Sequence, residues 1–517
     1  MKTLLLELLG MTLERMRSAV ESLYVSPPVP QNTDTSQGPP KSETPPETPK
    51  QIAKIRLHPA LAPVHVVPST SLLATAERVQ GHESRNVNFR GILNLFFIIL
   101  FVLNVRLIVE NVMRYGSLLE LPRIGVFDSP MIFAGYILVL SLPYISFVTE
   151  RYVAIKSRWL ANVIEASIIA MTLVLPYVIV RYSEVHALRS LLLLMASMVY
   201  AMKIGSYWHC CADLQRLKDS GELQTLIPKI PKEATPIDKE NGALAAQYPE
   251  SLTVGQMYLF VASPTLVFQL AYPRTSEVRL KMVLRYSIEL VFCFVLQFVL
   301  IEQYINPLLT NTIKGIEERI LKKQDYFSLG SFLLERFLKL SIPILYIWLL
   351  MFAELFHCWL NILAEVTRFA DRKFYLDWWN AVSIRDYWQK WNLPVHHWLL
   401  RHMYKPLRKS GISPSTAGLV IFILSGVIHE YLIITPIQVG WSGLILLGFV
   451  LQIPLISVTD TDLFKKRPTL GNCMFWISWC FTGQPLAVLV YFVVASSPTV
   501  VTRLCYWLVY GTVHDEL

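Results

Sequence analysis

Charged residues are scarce in this chain of 517 residues: Asp, Glu, Lys and Arg make up 16% of it, against about a quarter in soluble domains. Hydrophobic residues make up 53%, and the mean hydropathy is +0.42. The seven cysteines include one adjacent pair, Cys210 and Cys211, and form neither an even disulfide framework nor a C-x-x-C metal pattern. The composition excludes a disulfide scaffold, argues against a soluble enzyme and favours a membrane protein.

The first residues do not read as a secretory signal peptide. Their apolar run is interrupted by Glu7, and no small-residue cleavage site follows. Residues 26–51 are rich in Pro, Ser, Thr and Glu, so they cannot bury enough apolar surface to offset the entropy of ordering. The sequence therefore predicts a disordered cytosolic tail over residues 1–88.

Long apolar runs follow this tail, and each is close to the length of about 20 residues that crosses a bilayer as a helix. We predict nine spans, near residues 91–113, 129–148, 160–180, 190–206, 283–303, 338–363, 417–437, 441–458 and 474–494. The segment 254–271 is borderline because Pro264 interrupts it, and we expect it to be a partly buried or interfacial element. The fold class that follows is an all-α polytopic membrane protein.

The distribution of basic residues predicts the orientation of the spans. The loop after the sixth span carries nine Lys and Arg, whereas the loop after the seventh carries none, and basic residues favour cytosolic loops. The amino terminus is then cytosolic, and nine spans leave the carboxyl terminus in the lumen. The chain ends in His514-Asp515-Glu516-Leu517, a retrieval address of the endoplasmic reticulum that is read in the lumen. The alternative is that this ending arose by chance, or lies too near the membrane for a receptor.

One loop, residues 367–414, combines aromatic, amide, histidine and basic side chains. Two interpretations remain open: an aromatic belt at the membrane interface, or a surface that binds a phosphorylated, base-bearing ligand through cations and ring planes. A metal site is disfavoured, because His396, His397 and His402 lack the H-E-x-x-H arrangement. We therefore expect no metal ion here.

A histidine and a glutamate, His429 and Glu430, lie inside an otherwise apolar span. Ionisable groups at membrane depth are costly, so they indicate a functional site. The alternative is a structural histidine that is paired across the helix bundle. Gln452 and Gln484 also lie within spans, where they can serve as hydrogen-bond partners between helices.

At these residues the chain resembles the membrane-bound O-acyltransferases. The stretches that carry the resemblance are FYLDWWN at 374–380, WNLPVHHWLLRHMYKP at 391–406 and HEYL at 429–432, in that order. Within the family they are most similar to the branch that acylates sterols and diacylglycerol, with the 392–406 pattern closer to the diacylglycerol-acylating members. The resemblance runs from about residue 88 to residue 491.

The resemblance implies a nine-span helical bundle around an intramembrane reaction chamber, the membrane-bound O-acyltransferase fold. It implies that His429 and Asn392 are the catalytic residues, with Gln452 and Gln484 in the chamber. Glu430 we expect to be a helper or structural partner and not a second base. The implied acyl-CoA contacts are Phe374, Tyr375, Asp377, Trp378, Trp379, Asn380, Trp391, His396, Arg401, His402, Tyr404 and Lys405.

The implied reaction moves a fatty acyl group from acyl-CoA to the free hydroxyl of diacylglycerol, with a buried histidine as general base. Acyl-CoA, diacylglycerol and membrane lipid are the implied partners, together with further copies of the chain in a homodimer or homotetramer. No cofactor and no nucleic acid are expected. The acyltransferase domain is predicted over 89–496, with an acyl-CoA loop at 367–414, a catalytic span at 417–437 and a short luminal tail at 497–517. The alternatives are a sterol acyltransferase and, from a different class, a transporter or channel that uses His429.

Overall fold

The structure is a computed structural model. It describes residues 91, 92, 94–96, 98, 99, 102, 129–183, 187–231, 234–322, 325–497, 501 and 502. The tail predicted over 1–88, most of the first predicted span and the last residues of the chain lie outside the described residues. In the described part the secondary structure is helical, apart from one isolated bridge between Arg274 and Phe369.

Three long helices open the described bundle: α1 (Pro130–Val148), α2 (Arg158–Tyr182) and α3 (Ala187–Asp219). A π-helical turn, Thr149–Val153, continues α1. Serine hydroxyls at 129 and 157 accept from the first turns of α1 and α2, which satisfies backbone donors at the helix starts. The three helices pack against one another.

A group of short elements follows α3. They are α4 (Glu222–Leu226), a 3₁₀ turn (Ile227–Lys229), α5 (Pro236–Ala246) and α6 (Val254–Ala262). After α6 the chain is irregular, yet Val267 and Phe268 are buried. This confirms that 254–271 is a partly buried element, since its helix of nine residues is too short to cross a membrane.

The middle of the chain consists of two long helical columns. The first is α7 (Leu280–Leu300), a π turn (Ile301–Ile305) and α8 (Asn306–Leu321); the second is α9 (Tyr326–Phe352), a π segment (Ala353–Trp359) and α10 (Leu360–Val366). Helix α8 ends at Leu321, and Asp325 caps the new helix α9 by accepting from the Ser328 amide.

The aromatic loop contains only short elements. They are a 3₁₀ turn (Trp378–Asn380), α11 (Ile384–Lys390), α12 (Leu393–Leu399), a π turn (Leu400–Tyr404) and α13 (Lys405–Lys409). The last part of the described chain is α14 (Pro414–Ile434), α15 (Leu444–Thr459), α16 (Asp462–Lys465), α17 (Pro468–Phe475), a π segment (Trp476–Gly483) and α18 (Gln484–Ser496).

The membrane class is supported, but the count of nine spans is not. Among the described residues six continuous helices are long and apolar enough to cross a membrane: Pro130–Val153, Arg158–Tyr182, Ala187–Asp219, Tyr326–Val366, Pro414–Ile434 and Pro468–Ser496. The predicted eighth span corresponds to α15, which is apolar but has only 16 residues. Helix α7 covers the fifth predicted span, and its exposed Leu284, Ile288 and Phe292 form the kind of apolar surface that faces lipid.

The largest buried cluster surrounds the aromatic loop. Tyr375, Trp378, Tyr387, Phe475 and Trp476 are each at most 1% exposed and pack in this cluster. Large rings dominate packing because each buries 150–250 Å². The loop is therefore held by the core of the helical bundle, and it fixes the geometry of the candidate site beside it.

Candidate functional site

His429 lies on α14, with its ring held in one orientation. Its Nδ1 lies 2.7 Å from the Ser425 carbonyl oxygen. A carbonyl can only accept, so Nδ1 carries the proton and Nε2 keeps a lone pair. Protein atoms surround the histidine on most sides, but part of its side chain is exposed. The expectation of a buried histidine is therefore not confirmed, because the side chain has accessible surface.

Glu430, the next residue, is fully buried and binds the start of α15. Its carboxylate accepts from the backbone amides of Gly443 and Ile445 at 2.8 Å and of Leu446 at 3.2 Å. It also accepts from Ser442 and from the Tyr491 hydroxyl at 2.8 Å. A negative charge is favoured at a helix amino terminus, where amide groups lack partners within the helix. The expectation of a structural partner fits this geometry, since the donors occupy both oxygens.

Aromatic rings connect His429 with the loop. The imidazole lies against Phe449 of α15, with ring centres 4.7 Å apart, and Phe449 contacts Trp388 of α11 at 5.7 Å. The Trp388 indole donates a 2.9 Å hydrogen bond to Gln452 Oε1. The expected role of Gln452 as a partner between elements is therefore seen, and its amide fixes Trp388 near the histidine.

Gln484 begins α18, directly after the π segment Trp476–Gly483. Both polar atoms of its side-chain amide are buried, and neither has a hydrogen-bond partner in the described part of the chain. Unpaired buried amides are rare and costly, so each calls for an explanation such as a ligand. π segments are also frequent at functional sites. Both observations favour Gln484 as a substrate-facing group.

Asn392 has a local structural role that the sequence motif did not reveal. Its side-chain oxygen accepts from the Val395 amide at 3.2 Å, which caps α12, and Pro394 lies in the first turn of that helix. The neighbouring Trp391 ring stacks on Trp348 of α9, with centres 4.9 Å apart. Asn392 therefore fixes where α12 begins relative to the aromatic rings.

The FYLDWWN stretch is mostly core. Phe374, Tyr375, Trp378 and Trp379 are at most 3% exposed. Neither an interfacial belt nor an open surface for acyl-CoA describes these four rings, because they pack against other rings of the bundle. Asp377 and Asn380 are half-buried, and Asn380 Nδ2 donates to Asp377 at 3.3 Å.

A residue that sequence reasoning missed holds this stretch in place. Asn472 of α17 is buried, and its amide donates to the carbonyl oxygens of Trp379 at 2.8 Å and Ala381 at 2.9 Å. Asn94 in turn donates to the Asn472 side-chain oxygen at 2.9 Å. Only the polarity of Asn472 near an apolar run could have drawn attention to it.

His402 differs from its expected role because both of its ring nitrogens are used within the protein. Nε2 lies 2.7 Å from the Ser206 hydroxyl, and Nδ1 lies 2.7 Å from Nδ1 of His209 on α3. Burial, with smaller contributions from Arg401 and His209, lowers the pKa of His402 to about 2. The imidazole is thus neutral and ties the loop to α3. His396, Arg401 and Tyr404 are half-buried and Lys405 is exposed.

Acid pH should weaken the contact of His402 with Ser206 and His209 on α3. The folded-state pKa of His402 lies below the unfolded value of about 6.5. Between the two values the unfolded chain binds more protons, so stability falls as the pH drops below about 6.5, by about 1.4 kcal/mol per pH unit for one proton. We expect a lower Tm at pH 5 than at pH 7.5 in detergent, and a flatter dependence for His402→Gln. An equal change of Tm with pH in the parent protein and in His402→Gln would contradict this account.

Sequence reasoning also missed His357, on the π segment Ala353–Trp359. Its Nδ1 lies 3.1 Å from the Tyr375 hydroxyl, and its Nε2 lies 4.0 Å from a Glu289 oxygen.

In the described residues no cluster of three or more His, Cys, Asp or Glu side chains could hold a metal ion.

Comparison with known proteins gives consistent matches. Residues 152–493 match the membrane-bound O-acyltransferase family. The chain is 35% identical to diacylglycerol O-acyltransferase 1C of Glycine max over 413 residues, which cover 78% of this chain and 74% of the relative. Identity to diacylglycerol O-acyltransferase 1 is 36% for Arabidopsis thaliana, covering 78% and 72% of the two chains. It is 33% for Homo sapiens, covering 78% and 80%.

Proposed function

The chain belongs to the membrane-bound O-acyltransferase family, and from that premise we propose that it makes triacylglycerol from diacylglycerol and acyl-CoA. The named relatives are diacylglycerol acyltransferases, and they are similar to this protein over most of both chains. The observation that carries the proposal within the molecule is His429, whose Nδ1 is bound to a carbonyl and whose Nε2 can accept a proton.

We propose direct transfer with His429 as general base. Nε2 takes the proton from the diacylglycerol hydroxyl while the oxygen attacks the thioester carbonyl carbon. The resulting tetrahedral intermediate collapses, the C–S bond breaks, and the imidazolium returns the proton to the CoA sulfur. The Ser425 carbonyl supports this role, since its bond to Nδ1–H stabilises the positive charge that develops on the ring.

The remaining residues serve geometry and electrostatics in this proposal. The Gln484 amide, which has no hydrogen-bond partner among the described residues, can donate to the oxygen that gains charge. Asn392, through the start of α12, positions the rings that face the site. Gln452 fixes Trp388 beside the ring that contacts His429. We propose that the helices enclose a chamber that admits a lipid alcohol and excludes water, which would otherwise hydrolyse the thioester.

An acceptor assay tests the proposed function. Purified protein in detergent receives radiolabelled oleoyl-CoA with diacylglycerol, with cholesterol or with no acceptor. We expect labelled triacylglycerol in the first reaction and only background in the other two. Preferential labelling of cholesterol would indicate a sterol acyltransferase, and no product with any acceptor would reject acyl transfer.

We propose that acyl-CoA binds at the half-buried and exposed part of 391–405. Lys405 is exposed there, and a Lys side chain can pair with a phosphate. Lys405→Ala should raise the KM for acyl-CoA several-fold, since a phosphate contact is lost, and leave the KM for diacylglycerol unchanged. Lys314→Ala removes an exposed lysine from α8 and serves as the matched control. Equal changes in both KM values, or none in either, would contradict the assignment.

We also propose a multi-pass protein of the endoplasmic reticulum membrane, with a cytosolic amino terminus and a luminal carboxyl terminus. The charge difference between the loops supports this orientation. A tag after Leu517 should be protected from protease in sealed vesicles and become accessible when the vesicles are opened. Cleavage of the tag in sealed vesicles would show that the carboxyl terminus is cytosolic. A homodimer or homotetramer is proposed as the assembly.

A further inference from the structure

Two tryptophans near the candidate site have indole N–H groups without an acceptor. Trp348 on α9 and Trp479 on the π segment Trp476–Gly483 have buried Nε1 atoms that bond to nothing in the described part of the chain. Their rings contact each other edge to face, with centres 6.5 Å apart. Trp388, whose ring lies 5.6 Å from that of Trp479, has its own N–H bonded to Gln452. One indole of this ring cluster thus has an acceptor, whereas those of Trp348 and Trp479 have none among the described residues.

The surroundings distinguish these two donors from other unpaired indoles. Trp378 and Trp476 also have Nε1 atoms without an acceptor among the described residues, but both side chains are at most 1% exposed and belong to the buried core cluster. Trp348 and Trp479 are only half-buried. Five residues after Trp479 comes Gln484, whose amide is also unpaired. A π segment has i to i+5 bonding, so it brings these two positions to one side of the helix.

We propose that the N–H groups of Trp348 and Trp479 bind a carbonyl oxygen of a lipid ester or thioester, in the site that His429 serves. This inference rests on the proposed acyl transfer and adds two substrate-binding residues to it. A carbonyl oxygen is an acceptor without a proton to donate, which matches a pair of donors with no acceptor. An unpaired buried N–H destabilises the free protein by its desolvation penalty. A hydrogen bond to the substrate offsets this penalty when the substrate binds.

Phenylalanine substitutions test the proposal because they keep a ring and remove the N–H. Trp348→Phe and Trp479→Phe should each lower kcat/KM about tenfold, with the Tm unchanged or higher, since an unpaired buried donor has been removed. Two donors on one oxygen are coupled, so the double variant should lose less than the product of the single losses. A rise in the KM for acyl-CoA identifies the thioester oxygen, and a rise in that for diacylglycerol identifies an ester oxygen.

Trp208→Phe is the matched control, since its indole N–H already has an acceptor, Asn162, at 3.0 Å. Its kcat/KM should equal that of the parent protein. The proposal is overturned if kcat/KM is unchanged in both Trp348→Phe and Trp479→Phe. It is also overturned if the Tm falls so far that unfolding alone accounts for the lost activity.

Binding separates this inference from the proposed function. The Tm increase that oleoyl-CoA or diacylglycerol gives is measured on His429→Ala protein, with and without Trp479→Phe. Loss of either increase supports the tryptophan contact even if no acceptor is acylated. Retention of both increases rejects the contact even if triacylglycerol is made.

Discussion

His429→Ala should abolish measurable triacylglycerol synthesis while the protein still folds and binds acyl-CoA. Loss of a general base typically lowers a rate by about 10²–10⁴-fold. The parent enzyme should also lose activity at acid pH, because a protonated imidazole cannot accept the acceptor's proton. The measurement is the initial rate with oleoyl-CoA and diacylglycerol, alongside elution volume and Tm.

Ser457→Ala is the control for this substitution. Ser457 is an exposed polar side chain on the adjacent helix α15, and its hydroxyl donates to the Ile453 carbonyl at 3.2 Å. Its rate should match that of the parent protein. A well-folded His429→Ala enzyme that keeps a near-parental rate would make the histidine structural, and the proton acceptor would have to be sought elsewhere.

Among the substitutions described above and below, Glu430→Ala should lower the free energy of unfolding the most. The substitution removes the carboxylate that accepts from the amides of Gly443, Ile445 and Leu446 and from the Tyr491 hydroxyl. Hydrogen bonds to a charged group contribute about 1.5–3 kcal/mol each, so a loss of at least about 3 kcal/mol and a clear fall in Tm are expected. Activity should fall with it, because α15 carries the side chains that contact His429 and Trp388.

A second substitution distinguishes the contribution of the Glu430 charge from that of the side-chain shape. Glu430→Gln keeps one accepting oxygen, so it should be less destabilising and retain activity in proportion to folded protein. Glu318→Ala, on α8 at an exposed carboxylate paired with Lys322, is the control and should change the Tm little. A Glu430→Gln protein as stable as the parent but inactive would assign the carboxylate to the chemistry.

Part of the candidate site could be predicted from single positions. His429 stands out because a titratable group in an apolar helix is costly, whatever surrounds it. Asn392 and the aromatic loop stand out by motif. The roles of Asn392 and His402 could not be read this way, since a cap on α12 and a bond to Ser206 on α3 depend on how the chain folds back.

The sequence by itself determined the membrane class, the family and the position of the histidine, because these depend on composition, on local spacing and on one residue in an apolar run. Tertiary structure decided the rest. Lipid-facing and core-facing residues are both apolar in such a protein, so hydropathy could not distinguish the enclosed Trp378 from the exposed Leu284, nor the number of spans. The bonds of Glu430 to the start of α15 and of Asn472 to the aromatic loop join residues that are distant in sequence, and only packing brings them within hydrogen-bonding distance.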